Sequence, residues 1–141
     1  NVMHMNKLAT AFIFTFLAFS NHVVAGNTCL LEGRWKSNKE MTLASMNATG
    51  IVSEKQRALF HGDFFGELII QSTCDSFTSY FDGISDTNSY ETLSQNGTTI
   101  TIRYDDPIEN KPVDSTLTII DGCYSIPLKN LNFNEYFCRI E

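Results

Sequence analysis

Between residues 98 and 104 the chain alternates: Ile100, Ile102 and Tyr104 fall on one side of an extended backbone, Thr99, Thr101 and Arg103 on the other. A period of two marks a β-strand with one buried face. Short segments rich in β-branched and aromatic residues recur at 32–37, 67–73, 76–81, 89–94, 116–120, 123–126 and 135–140, cut by turn residues. Asn96-Gly97 is a strong hairpin signal. Asp82-Gly83 and Asp121-Gly122 have the same character. One stretch breaks the pattern: after the first strand, residues 39–46 and 53–61 read as helices. Ser53 and Gln56 have capping-box spacing, Ala58, Leu59 and Phe60 supply a buried side, and Gly62 stands where a left-handed C-cap is wanted. Residues 105–114 form an acidic segment in which Pro107 and Pro112 predict a long irregular loop.

Eight strands joined mostly by tight turns predict an all-β fold, an eight-stranded antiparallel up-and-down barrel with a short helical insertion between the first and second strands. Ahead of it, Met5-Asn6-Lys7, the apolar run 8–19 and the small-residue pattern Val23-Val24-Ala25 describe a cleavable signal peptide. The expected division is therefore 1–25, signal peptide with upstream residues, and 26–141, one barrel domain. The apolar run is shorter than the ~20 residues a membrane span needs, so no stable membrane insertion is expected.

All four cysteines, Cys29, Cys74, Cys123 and Cys138, lie in the expected mature part, an even number that reads as two disulfides in an exported chain. None has the C-x₂₋₄-C spacing of zinc ligands, and no metal or cofactor is expected. If successive strands alternate direction, all four fall at one end of the barrel, opposite the helices. Cys29–Cys74 and Cys123–Cys138 then join adjacent strands, whereas Cys74–Cys123 would cross the barrel. The expected compartment is extracellular or periplasmic.

Without Lys7, nine of the ten Lys and Arg remain against sixteen Asp and Glu, a net charge of −7. That balance argues against nucleic acid, whose phosphates call for clustered positive charge. It suits a basic protein partner. Asp82, Asp86, Asp105, Asp106, Glu109 and Asp114 gather at the end opposite the cysteines, and an acidic mouth repels anionic ligands.

Gly33-x-Trp35 on a first strand, a helical pair after it and a meander ending in Phe137-Cys138-Arg139 resemble the calycin superfamily, which includes lipocalins and fatty-acid-binding proteins. The resemblance implies a lipocalin-like barrel that holds a small hydrophobic ligand. It also implies that Trp35 closes one end of the barrel with a basic residue of the last strand, Arg139, stacked on it. The Thr-Asp-Tyr motif of lipocalins and the Arg-x-Tyr carboxylate anchor of fatty-acid-binding proteins have no counterpart here.

Candidate ligand-binding residues are Trp35, Tyr90, Tyr104, Phe137 and Arg139. If the Cys123–Cys138 bond lies outside the barrel, Tyr124, Ile126, Phe137 and Arg139 point inward; if inside, Arg139 points out. His61, the one histidine of the expected mature part, falls at a helix end with no nucleophile or orienting partner in view, so no catalytic residue is assigned and an enzyme is not expected. The leading expectation is an exported carrier of a small neutral or cationic apolar molecule. The alternative is a protein-binding module, similar in plan to the small disulfide-bonded barrels that inhibit lysozyme.

Overall fold

The computed structural model describes residues 28–49 and 52–140. The expected signal peptide lies outside the described residues. Eight antiparallel strands form a nearly closed barrel: β1 (Gly33–Ser37), β2 (Ile69–Ser72), β3 (Ser76–Phe81), β4 (Ile84–Asn96), β5 (Thr99–Asp105), β6 (Pro112–Thr118), β7 (Cys123–Pro127) and β8 (Asn134–Ile140). Their spatial order is β6-β5-β4-β3-β2-β1-β8-β7, so the first and last strands pair in the middle of the sheet. β6 and β7 end the sheet and are linked by a tight turn in which only Ile120 and Cys123 bridge. No helix among the described residues is long and apolar enough to cross a membrane.

The two-residue period selects the core. Ile100, Ile102, Leu117, Tyr90, Tyr124, Phe137 and Trp35 are buried together inside the barrel, while Thr99, Thr101 and Arg103 face out. On the outer face Thr99 meets Thr118, Thr101 meets Thr116, and Arg103 forms a two-pronged pair with Asp114.

Between β1 and β2 the chain forms α1 (Lys39–Thr49) and α2 (Glu54–Leu59). Asn38 caps α1 by accepting from the Met41 amide. α1 lies across the start of β8, where Thr42 Oγ1 accepts from the Tyr136 amide at 3.0 Å and Ser45 Oγ from the Asn134 amide at 3.1 Å. These hydroxyls satisfy edge donors that a purely apolar helix face would orphan. The Ser53–Gln56 capping box is present. Beneath the helices Met46, Phe60, Phe65 and Phe133 make a second, smaller core.

Four expectations need correction. β4 is 13 residues long rather than 89–94: its first half pairs with β3 and its second half with β5, with a register shift between Thr92 and Ser94. Residues 84–87, Ile84 among them, are exposed on both sides where the β3–β4 hairpin extends past the barrel rim, so they carry no alternating pattern. Pro112 opens β6 opposite Asp105, a first position on an end strand where its missing N–H is tolerated. That shortens the acidic loop to 106–111, and β6 ends at Thr118 rather than at residue 120. Finally, Gly62 is not left-handed (φ −71°, ψ −151°); α2 runs into a wide π-type turn, Phe60–Phe64, and the left-handed glycine is Gly66 at φ +98°.

Candidate functional site

Both disulfides have the expected partners, Cys29–Cys74 and Cys123–Cys138. Cys138 sits opposite Lys36 and Cys123, whereas Phe137 sits opposite Ser37 and Tyr124, so the second disulfide is on the outer face and Tyr124 and Phe137 point inward. Two covalent bonds between extracellular-type cysteine pairs indicate an oxidising environment.

The cysteine end is closed. Trp35 is fully buried; its Nε1 donates to the Leu31 carbonyl at 2.8 Å and its ring meets Tyr124 edge-on at 4.8 Å. The Arg139 guanidinium lies 4.2 Å over the Trp35 ring and donates to the carbonyls of Leu30 and Glu32. Gly33 permits this: its φ is +127°, and a Cβ there would stand 2.5 Å from Arg139 Nη1. The Gly-x-Trp spacing therefore has a physical reason, room for the cation on the indole face. Residues 28–32 run beneath as a plug, held to β4 by Gln95, which bonds Leu30 N and Thr28 O. The arrangement is compatible with a calycin-like plan. Arg139 itself is exposed to solvent at the barrel end and is no interior anchor for an anion.

Above the plug lies a cavity of about 260 Å³. Leu31, Ile70, Phe77, Ile102, Leu117 and Ile126 give it apolar walls. Tyr90 and Tyr104 also line it, as the sequence suggests; Trp35, Phe137 and Arg139 do not. The alternation that puts Tyr104 inside does the same for Ile102, and Leu117 is its cross-strand continuation through Ile100. Leu31, which precedes β1, has no periodic signal at all. The cavity reaches the exposed Asp105 and Pro107, where β5 runs into the loop 106–111 at the helical end of the barrel.

Two phenols stand in the walls. The Tyr90 hydroxyl donates to the Thr73 carbonyl, and burial, then the Asp75 and Glu32 carboxylates, raises its pKa. Tyr124 is only 5% exposed as a residue and lines the cavity; its hydroxyl makes no hydrogen bond among the described residues but is not sealed off, since no wholly buried side-chain polar atom there lacks a partner. Burial, with Glu135 and Tyr90 nearby, pushes its pKa up as well, so it stays protonated and able to donate.

The rim is less acidic in effect than in composition. Asp106 is buried; its carboxylate accepts from the amides of Ile108 and Glu109 and pairs with Lys129 of the β7–β8 loop. Lys129 also reaches Glu109, and Arg103 holds Asp114. Asp82, Asp86 and Asp105 remain without an ion pair among the described residues. The Lys129 hydrogen bond, followed by those of the Glu109 and Ile108 amides, lowers the Asp106 pKa to about 2. Because the folded value lies below the ordinary one, the contribution is present above about pH 4 and is lost as pH falls towards 2. Thermal unfolding between pH 5 and pH 2 should therefore show a steeper fall for the wild type than for Asp106→Asn; parallel curves would mean that Asp106 stabilises nothing.

Comparison with family models, with curated proteins and with solved structures finds no match for this chain.

Proposed function

We propose that the protein is an exported carrier of a small apolar molecule bearing one hydrogen-bonding group, neutral or cationic, held inside the barrel. The observation that carries this reading is the apolar cavity with the unpaired Tyr124 hydroxyl in its wall. No wholly buried side-chain polar atom among the described residues lacks a partner, so this hydroxyl is accessible, and a ligand hydroxyl, carbonyl or amine could take the place of water on it. Size narrows the class. At about 260 Å³ the cavity exceeds the roughly 150 Å³ that holds benzene. It falls just below the roughly 300–1,000 Å³ of sites for drug-sized ligands. A single ring or short chain fits that interval, and a long-chain fatty acid does not. The unpaired Asp105 at the mouth disfavours a carboxylate.

Calorimetric titration with benzyl alcohol, toluene and benzoate tests the proposal. Benzyl alcohol is expected to bind threefold to tenfold more tightly than toluene, about one neutral hydrogen bond. Tyr124→Phe should erase that difference, Leu117→Trp should fill the space and abolish both, and benzoate should bind weakest. Failure of all three, or binding indifferent to Leu117→Trp, overturns the carrier reading.

A second reading, a protein-binding module for a basic target such as lysozyme, draws on a different observation. The β3–β4 hairpin carries exposed Phe81 and Ile84, the latter 72% exposed, beside Asp82 and Asp86.

A further inference from the structure

The helical end of the barrel holds a second concavity, separate from the interior cavity and about 400 Å³ in volume. The rings of Phe60, Phe64, Phe65 and Phe81 wall it, with Leu68 behind. Phe60 packs against Phe64 and Phe65 with ring centroids 5.3 and 5.2 Å apart, so the aromatic wall is continuous. Phe64 is 49% exposed and Phe81 45%, a large apolar area left open to solvent.

Among the described residues the only charged group lining this wall is Glu135. It lies on β8 opposite Ile126, with the same inward parity as Phe137. One carboxylate oxygen accepts from Ser37 Oγ at 2.7 Å; the other has no donor, and no cation pairs with the group among the described residues. Burial raises its pKa, an effect the Ser37 hydroxyl only partly offsets. A half-buried carboxylate set among aromatic rings lacks the solvation that its charge calls for. A cation in the groove would supply the missing charge and would at the same time lie against ring faces, which attract cations.

We propose that this groove is a second binding site, for an organic ammonium ion carried on an apolar body, with Glu135 as its counter-ion and the phenylalanine rings as its walls. The site does not rest on the carrier reading of the interior cavity, and the residues whose signals move tell the two apart.

The probes are octyltrimethylammonium, octanol and octanoate, titrated into the protein while backbone amide shifts are followed by NMR. Octyltrimethylammonium is expected to move the amides of Phe64, Phe65 and Glu135, and to bind about tenfold more tightly than octanol. Octanoate should bind more weakly than either. Glu135→Gln keeps an acceptor for Ser37 and should bring the ammonium probe level with octanol, leaving octanol binding unchanged. Phe64→Ala, a substitution at an exposed ring, should weaken both. A preference for the ammonium probe that survives Glu135→Gln, shifts confined to Ile102 and Leu117, or no binding at the groove would each overturn the proposal.

Discussion

Replacing Trp35 by alanine is expected to destabilise the protein by about 3–5 kcal/mol, the usual cost of removing a buried aromatic ring. The ring is fully buried, and its loss opens a void beneath Tyr124. It also leaves the Leu31 carbonyl without its donor and takes from Arg139 the surface it rests on. Small domains have roughly 5–15 kcal/mol in total, so this one change removes a large part of the margin. Trp35→Phe keeps most of the ring and loses chiefly the Nε1 hydrogen bond, and should cost about 1–3 kcal/mol. Urea unfolding of the three proteins measures both terms. An alanine variant within about 1 kcal/mol of the wild type would show that the tryptophan does not hold the barrel end closed.

The second large effect is the loss of Cys29–Cys74. The two disulfides span 45 and 15 residues, and restriction of the unfolded chain predicts contributions of about 4 and about 3 kcal/mol respectively. The folded state widens the gap. Cys123 and Cys138 face each other within the β7–β8 ladder, which continues on one side through four further residue pairs. Cys29 instead anchors the plug 28–32, which carries Leu31 into the cavity floor and supplies the carbonyls that hold Arg139. Paired Cys→Ser variants, compared by denaturation, should therefore rank with Cys29–Cys74 the costlier loss. The same variant should also weaken any ligand in the interior cavity. The opposite ranking would place the plug outside the cooperative fold.

The barrel and its disulfide partners were legible because their signals are local and periodic. Alternating Ile100, Ile102 and Tyr104 set a face, Asn96-Gly97 and Asp121-Gly122 set reversals, and alternating strand directions then bring the correct cysteines together. What escaped has equally definite causes. Residues 84–87 project past the rim, where neither face is buried, so hydrophobic patterning has nothing to report. Pro112 lacks an amide donor, which in a sequence signals a break in pairing, but at the first position of an end strand no donor is needed. The binding candidates divided in the same way. Tyr90 and Tyr104 line the cavity, but Trp35 and Phe137 are equally inward-facing and lie outside its lining. Strand parity distinguishes inside from outside; it does not give height along the barrel axis. The Glu135 groove was invisible because its apolar lining comes from a turn, a hairpin tip and the β7–β8 loop, which share no sequence period.

The strand order carries a consequence for how the molecule comes into being. β1 and β8 lie side by side, Arg34 opposite Ile140 and Ser37 opposite Phe137, although they are the first and last strands of the chain. The β2–β6 meander can zip up between neighbours as it emerges, but the pocket around Trp35 needs Tyr124, Phe137 and Arg139 from the far end. Contacts of such long sequence separation require loop closure before they return any stabilisation, which places folding on the scale of milliseconds to seconds. The core therefore cannot close before synthesis has delivered β8. Until its final strand is available, the chain remains an unclosed, threadable polymer that can be passed lengthwise through a narrow channel.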